Sequence, residues 1–206
     1  RLFEQAPVLG SLINPTTGVQ DLLTASHKEL SPLLDLAFVK DVEDEARQEM
    51  AVAAKGLAKA SEMLNCRFTL VATNVPYLGR GKQDDLLKDY CERAHPDSKA
   101  DLATVFIERC LSFCQSDSGS AAVVTPQNWL FLGSYKNLRQ SLFREASWSI
   151  AARLGSGAFE TIGGEVVNVA LLAIQKRRPI KELTFVGLDV SVASSPKLKS
   201  GALVDD

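Results

Sequence analysis

Residues 68–82 read FTLVATNVPYLGRGK. An apolar and β-branched run passes directly into Asn74-Val75-Pro76-Tyr77, and then into a loop that holds Gly79, Arg80, Gly81 and Lys82. A short apolar run bounded by turn residues predicts a buried strand over 67–73. Pro76, which lacks an N–H, marks where that strand stops. An amide, a proline and an aromatic ring therefore stand together at the carboxyl end of a strand.

The flanking sequence supplies the rest of a fold. Upstream, PVLGSLINP (7–15) reads as a short strand in a loop, and the pattern from Val19 to Leu64 is helical, with Pro32 interrupting a leucine-rich first part. The later part, DVEDEARQEMAVAAKGLAKASEML (41–64), is acidic at its start and lysine-bearing further on, as a helix dipole favours, and its charges predict a solvated face. Downstream, helices are expected over 84–95 and 99–115, a buried strand over 120–126, and mostly helix in LFLGSYKNLRQSLFREA (130–146). Strands follow at 148–154, 165–175 and 182–191, with a basic turn KRRP at 176–179. Alternating strands and helices predict an α/β fold with a mostly parallel sheet covered on both faces. Ligands of such sheets sit at the carboxyl ends of the strands, where Asn74–Tyr77 falls. The organisation expected is one domain: a lead-in over 1–66, the sheet over 67–191, and a loose tail over 192–206.

Composition narrows the function classes. The chain has 206 residues, 46% of them apolar and 23% charged, as in a globular protein. A net charge of −2 gives no global attraction to nucleic acid, so any such contact must come from a local patch. No apolar run reaches the roughly 18 residues that a membrane span requires, and no secretory signal pattern opens the sequence, so the expected location is cytoplasmic, without membrane contact. Cys66, Cys91, Cys110 and Cys114 lie among apolar neighbours and read as small buried residues in a reducing compartment. They lack the paired spacing of a metal site, so no metal is expected. With only His27 and His95, a histidine-based triad has little material.

The chemistry of Asn74–Tyr77 follows from its parts. Asn74 offers an amide oxygen as acceptor. Val75 precedes proline and is biased to an extended backbone, which holds its carbonyl in one direction beside that amide. Tyr77 adds a flat ring. Two acceptors and a ring suit an aromatic amine such as the exocyclic nitrogen of adenine, whose lone pair is delocalised into the ring. Accepting both of its N–H bonds favours a tetrahedral nitrogen able to attack an electrophile, while the ring stacks on an extruded base, a contact worth about 1–3 kcal/mol. The other reading of four residues alone is a strand that ends in a proline turn, with Tyr77 as ordinary packing.

The order of VATNVPYLGRGK (71–82), KADLATVFIERCLSF (99–113), AAVVTPQNWLFLGSYKNLRQSLF (121–143) and RLGSGAFETIGGEVVNVALLAIQ (153–175) resembles adenine-specific DNA methyltransferases that use S-adenosylmethionine. It is similar above all to the large methyltransferases of BREX phage-defence systems and to related fused restriction-modification enzymes, over residues 60 to 190. The resemblance implies a Rossmann-like methyltransferase fold, S-adenosylmethionine as cofactor and double-stranded DNA as substrate. It also implies roles. Asn74 and the Val75 carbonyl would grip the adenine amine, Pro76 would fix the turn, Tyr77 and Phe159 would pack on the flipped base, and Phe106 would contact the cofactor's adenine. For Phe106, plain helix–sheet core is an equal reading. Arg80 and Lys82 are candidates for DNA phosphate contacts, and Gln127, Asn128 and Trp129 either line the pocket or cap a helix.

Two departures qualify the resemblance. The usual tetrapeptide is Asn-Pro-Pro-Tyr; with Val75 in place of the first proline, Asn74 loses a backbone restraint and Val75 gains an N–H that needs a partner. Residues 1–67 also lack the glycine-rich cofactor turn, since Gly10, Gly18 and Gly56 stand alone. LGSGAFE (154–160) imitates one, but a second strand is expected after it where a cofactor turn would open a helix. The expectation is therefore the C-terminal half of a methyltransferase domain, with the N-terminal half, a target-recognition region and other defence-system proteins as partners. The alternatives are a non-catalytic DNA-binding or assembly module with a decayed site, and an unrelated nucleotide-binding α/β protein.

Overall fold

The computed structural model describes residues 4–15, 45–159 and 167–205. The chain divides into two compact units, residues 1–66 and 67–206. In the first, α1 (Ala6–Leu9) runs into a 3-10 turn, Gly10–Leu12. PVLGSLINP is thus helical where a strand was expected, because Pro7 sits in the first helical turn, where its missing N–H breaks no bond. Helix α2 (Glu45–Asn65) occupies the Ala-, Glu- and Lys-rich stretch, and Lys59 pairs with Glu62 one turn away at 2.7 Å. Met50, Leu57 and Met63 are exposed on it together with its charges. The leucine-rich run expected to be helical between Val19 and Leu36 lies outside the described residues.

The second unit contains β1 (Leu70–Asn74), α3 (Asp85–Ala94), α4 (Leu102–Phe113), β2 (Ser120–Pro126), α5 (Lys136–Glu145), β3 (Ser147–Gly155), β4 (Val169–Gln175), β5 (Val186–Asp189) and α6 (Pro196–Asp205). The strands form one sheet in the order β1-β2-β4-β3-β5. β1 is parallel to β2 and β3 to β5, while β4 is antiparallel to both of its neighbours. All strands except β4 therefore point the same way, which is the mostly parallel α/β sheet that the sequence predicts. Their carboxyl ends, Asn74, Pro126, Gly155 and Asp189, share one edge, where β4 begins at Val169. β3 and β4 pair along their whole lengths, from Ser147↔Gln175 to Gly155↔Val169. The glycine-bearing residues 154–159 accordingly close β3 and leave the sheet from a strand that is paired antiparallel with β4.

Alternation along the strands sorts the side chains. Ala121, Val123, Leu172 and Ile174 point to one face and pack with Ala103, Ile107 and Cys110 of α4, Leu138 and Leu142 of α5, and the buried Trp129 and Trp148. α4 is buried almost all round because it lies under this cluster. On the other face, Leu154, Val169 and Val190 form a smaller cluster with Leu171 and with Ala202 and Leu203 of α6. The rest of that face is an open apolar concavity of about 620 Å³ that reaches from Ala72 and Asn74 to Leu188. Within the second unit the sheet is therefore covered on one face and in part on the other.

Three further expectations are corrected. β1 is a strand, but it is exposed and not buried: Leu70 is 60% exposed. The reason is that β1 lies at the sheet edge and that Leu70, Ala72 and Asn74 alternate onto the face of the open concavity, which Ala72 and Asn74 line. The tail after Ser194, expected to be loose, forms α6, which packs through Ala202 and Leu203. Cys66 is exposed, whereas Cys91, Cys110 and Cys114 are buried as expected. Burial pushes the Cys110 thiol up to about 11, and the Cys114 thiol donates to the Cys110 carbonyl at 3.3 Å. Among the described residues no helix is long and apolar enough to cross a membrane, and no group of three or more His, Cys, Asp or Glu side chains could hold a metal ion.

An exposed apolar edge strand is a template for pairing with another chain. The isolated 206-residue chain is expected to self-associate in light scattering at high concentration, and Leu70→Lys to reduce that association. A clean monomer would count against an available β1 edge.

Candidate active site

Asn74 closes β1 opposite Val124 of β2. The last bond of that ladder comes from the next residue, the Val75 N–H donating to the Val124 carbonyl at 3.3 Å. The N–H gained by having valine in place of proline thus has a partner in the sheet. Successive side chains alternate, so Val75 is 2% exposed in the main core while Asn74 and Pro76 face solvent. Pro76 turns the chain, and the Tyr77 hydroxyl comes back to donate to Asn74 Oδ1 at 3.2 Å. Tyr77 and Phe106 both pack, half-buried, on the cluster that contains Val75. The fold thereby brings Asn74, Val75, Tyr77 and Phe106 together.

The loop after Tyr77 is pinned to the start of α4 by a residue that sequence reasoning passed over. Asp101 caps that helix, its Oδ1 accepting from the Ala103 N–H at 2.9 Å and from the Leu78 N–H at 3.3 Å. The Leu102 N–H donates to the Leu78 carbonyl at 3.0 Å, and the Arg80 N–H to the Ala100 carbonyl at 2.9 Å. Buried Gln83 adds a bond from Nε2 to the Leu78 carbonyl at 3.0 Å. An aspartate directly before LATVF is a recognisable helix start, and that signal was available. Burial, with the Asp101 charge second, holds the Tyr77 phenol above its usual range. Tyr77 therefore remains a hydrogen-bond donor to Asn74 at neutral pH.

Other predicted residues distribute along the same edge. Phe159 follows β3 and is 50% exposed. Arg80 is tied to Glu92, which also binds Lys99, and its Nη1 reaches the Lys88 carbonyl at 3.5 Å. Glu92 is held below its usual range by the Lys99 hydrogen bond first and by Arg80 after it. Arg80 thus braces the site loop against α3, while Lys82 is exposed. Trp129 is core, and Gln127 is buried and accepts from Arg153 Nε at 3.3 Å. Arg153 also pairs with Asp189 at 3.1 Å and lies 6.0 Å over the ring of Phe131. Arg153 and Phe131, which sequence reasoning missed, give this edge an exposed cation and an exposed ring.

The arrangement separates the Tyr77 ring from its hydroxyl. Tyr77→Phe removes the bond to Asn74 and keeps the stacking surface, whereas Tyr77→Ala removes both. In a methylation assay of the full-length protein, Phe is expected to stay within a few-fold of wild type, and Ala to lose about 10- to 100-fold, the equivalent of one stacked base. Asp101→Ala is expected to destabilise by about 1–2 kcal/mol in thermal unfolding, from the lost helix cap and the lost Leu78 bond.

Residues 19–156 match the Eco57I restriction-modification methylase family. The adenine-specific methyltransferase PglX of Lacticaseibacillus casei (strain Zhang) is 39% identical over 126 residues, which cover 60% of this chain and 10% of that protein. The adenine-specific methyltransferase BrxX of Escherichia coli O9:H4 (strain HS) is 33% identical over 174 residues, 84% of this chain and 14% of that protein. The chain thus spans between a tenth and a seventh of the length of these relatives. Among solved structures, the DNA-bound Type ISP restriction-modification enzyme LlaBIII matches 80% of this chain and 12% of its own, with TM-score 0.56 and 14% identity. The DrdV–DNA complex matches 74% and 18%, also with TM-score 0.56 and 14% identity. These two share the fold. By its sequence match over most of its length, the chain belongs to the Eco57I restriction-modification methylase family.

Proposed function

We propose that this chain supplies the methyl-acceptor side of a DNA adenine methyltransferase, working in the bacterial cytoplasm within a phage-defence or restriction-modification system. The observation that carries the reading is Asn74 with Tyr77 at the carboxyl edge of the sheet, above a Val75 fixed by the sheet ladder. The Asn74 amide oxygen has two lone pairs. The Tyr77 hydroxyl uses one, which leaves the other for an N–H of the base. The Val75 carbonyl takes the second N–H, the amine nitrogen becomes tetrahedral, and its lone pair is directed at the electrophile. Tyr77 and Phe159 hold the base between rings outside the duplex. Lys82 approaches phosphates, and Arg80 contributes by bracing the loop. Double-stranded DNA as the partner is supported by the family and by the DNA-bound state of the two solved relatives.

S-adenosylmethionine supplies, when bound, a sulfonium-activated methyl group. The described residues fit that cofactor on one side only. Phe106 offers an apolar surface, but upstream of β1 Gly10 lies in a 3-10 turn and Gly56 inside α2, and neither opens a helix after a strand. The cofactor's remaining contacts therefore fall to other residues.

Asn74→Ala in the full-length protein is expected to lower adenine methylation about 100-fold or more, as loss of a group that acts on the transition state does. Near-normal methylation would sink the assignment and favour a non-catalytic DNA-binding or assembly role. Val75→Pro removes the bond to Val124, a net loss of about 1 kcal/mol, and restores the backbone restraint on Asn74. A slightly lower melting temperature with equal or higher methylation is expected; a clear loss of turnover would show that the valine itself is needed.

A further inference from the structure

Helix α6 carries one side chain with contacts that the site above does not explain. Lys199 is 2% exposed. Its Nζ donates to the Leu154 carbonyl at 2.7 Å and reaches the Val190 and Ser191 carbonyls at 3.4 Å each. An ammonium has three N–H donors and is costly to bury unless acceptors meet it. Here the acceptors are the end of β3 and the turn that follows β5. The two chain segments also touch directly. Gly155 has φ of +67°, and a Cβ at that position would lie 2.8 Å from Ser191 Cβ and 3.2 Å from Ser191 Cα. Asp189 Oδ1 fixes the same turn by accepting from the Ser191 N–H at 3.0 Å.

This junction is the base of the segment that leads to Phe159. Beyond Gly155, Ala158 packs against the cluster of Leu154, Val169 and Val190, to which Ala202 and Leu203 of α6 also belong. Phe159 is the next residue and projects half-exposed. Its backbone is therefore tied to α6 directly through Lys199 at the Leu154 carbonyl, and Ala158 rests on the same apolar cluster that α6 packs against.

We infer that Lys199 is a positioning residue for the base-binding side of the site, and that α6 is a structural part of the methyl-acceptor pocket, not a tail. The inference rests on the reading of Phe159 as a base-stacking residue. Lys199 touches neither base nor cofactor; it sets where the Gly155–Phe159 segment leaves the sheet. A misplacement of about 1 Å at a reacting centre is enough to lower turnover about 100-fold.

The test uses the full-length protein with Lys199→Met, which keeps the apolar stem and removes all three donors. Hydrogen exchange is read at the amides of 155–159 and 189–191, with those of β2 and α4 as internal references. Exchange is expected to accelerate at least about tenfold at the first two segments and to stay unchanged in the references. In steady-state methylation, kcat is expected to fall about 10- to 100-fold while KM for DNA stays within about threefold, the pattern of lost transition-state alignment. Lys199→Arg should recover part of the loss. In a Phe159→Ala background, Lys199→Met should cost little more, because both act through one segment. Unchanged exchange at 155–159, or full additivity with Phe159→Ala, would overturn the inference. Should Lys199→Met fail to fold, Lys199→Gln, which keeps an N–H donor on a shorter stem, takes the same measurements. If the wild-type protein transfers no methyl group, the functional reading fails, and the exchange comparison still decides whether Lys199 anchors the segment.

Discussion

The hydrogen bond from the Val75 N–H to the Val124 carbonyl closes the β1–β2 ladder at its last pair and ties the residue after β1 to β2, and the geometry of the site follows from that tie. Because side chains alternate along extended chain, fixing Val75 inward fixes Asn74 outward. Val75 is driven inward by the apolar cluster beneath the sheet, to which α4, α5 and the two tryptophans contribute. Burial of one valine thus orients a polar amide at the edge where parallel strands present their carboxyl ends. Pro76 then redirects the chain at a fixed φ, and Tyr77 returns over the same cluster to meet Asn74. A core contact, a ladder hydrogen bond and a proline turn together convert a strand end into a directed acceptor.

The two sides of the edge are held by charged groups of opposite sign, and each sign suits the main-chain atoms available. On the β1 side the neighbour is the start of α4, where unpaired N–H groups concentrate. Asp101 accepts from one of them, the Ala103 N–H, and from the Leu78 N–H of the site loop. On the β3 side the main-chain groups presented are carbonyls at the end of β3 and after β5, and Lys199 donates to them. Neither residue needs to meet a substrate to matter. Each joins a segment that bears a proposed base contact, Tyr77 or Phe159, to a packed helix, and so limits how far that ring can drift.

Much of this was legible in the sequence, and what was not has identifiable causes. Strands β1 to β5 and helices α3, α4 and α5 follow from short apolar runs, helical periodicity and punctuation by Gly and Pro. The Asn74–Tyr77 cluster was legible because proline and the residue before it restrict the backbone strongly. Burial of β1 was misread because an apolar run looks the same in a central strand and at a sheet edge. α6 was missed because its residues, PKLKSGALVD, carry no clear apolar stripe, and the helix is secured instead by one buried lysine and two small contacts. Lys199 reads as a surface residue in any local window, since its acceptors lie 8 to 45 residues away along the chain. Asp101, by contrast, announced a helix cap, but its second bond to Leu78 spans 23 residues and is invisible without the fold.

The same distinction bears on valine in place of the first proline of the tetrapeptide. A proline there would restrict the residue before it through local sterics, a restraint written into the sequence itself. Val75 offers no such local restraint, and from sequence alone its N–H was an unmet requirement. In the fold that N–H becomes the means of restraint, because its bond to Val124 ties the backbone to a neighbouring strand. A local restraint is present even in the unfolded chain, whereas a ladder bond exists only once β1 and β2 have paired. The valine form therefore makes the orientation of Asn74 depend on the integrity of the sheet. Position 75 couples site geometry to sheet pairing in a way that a second proline would not.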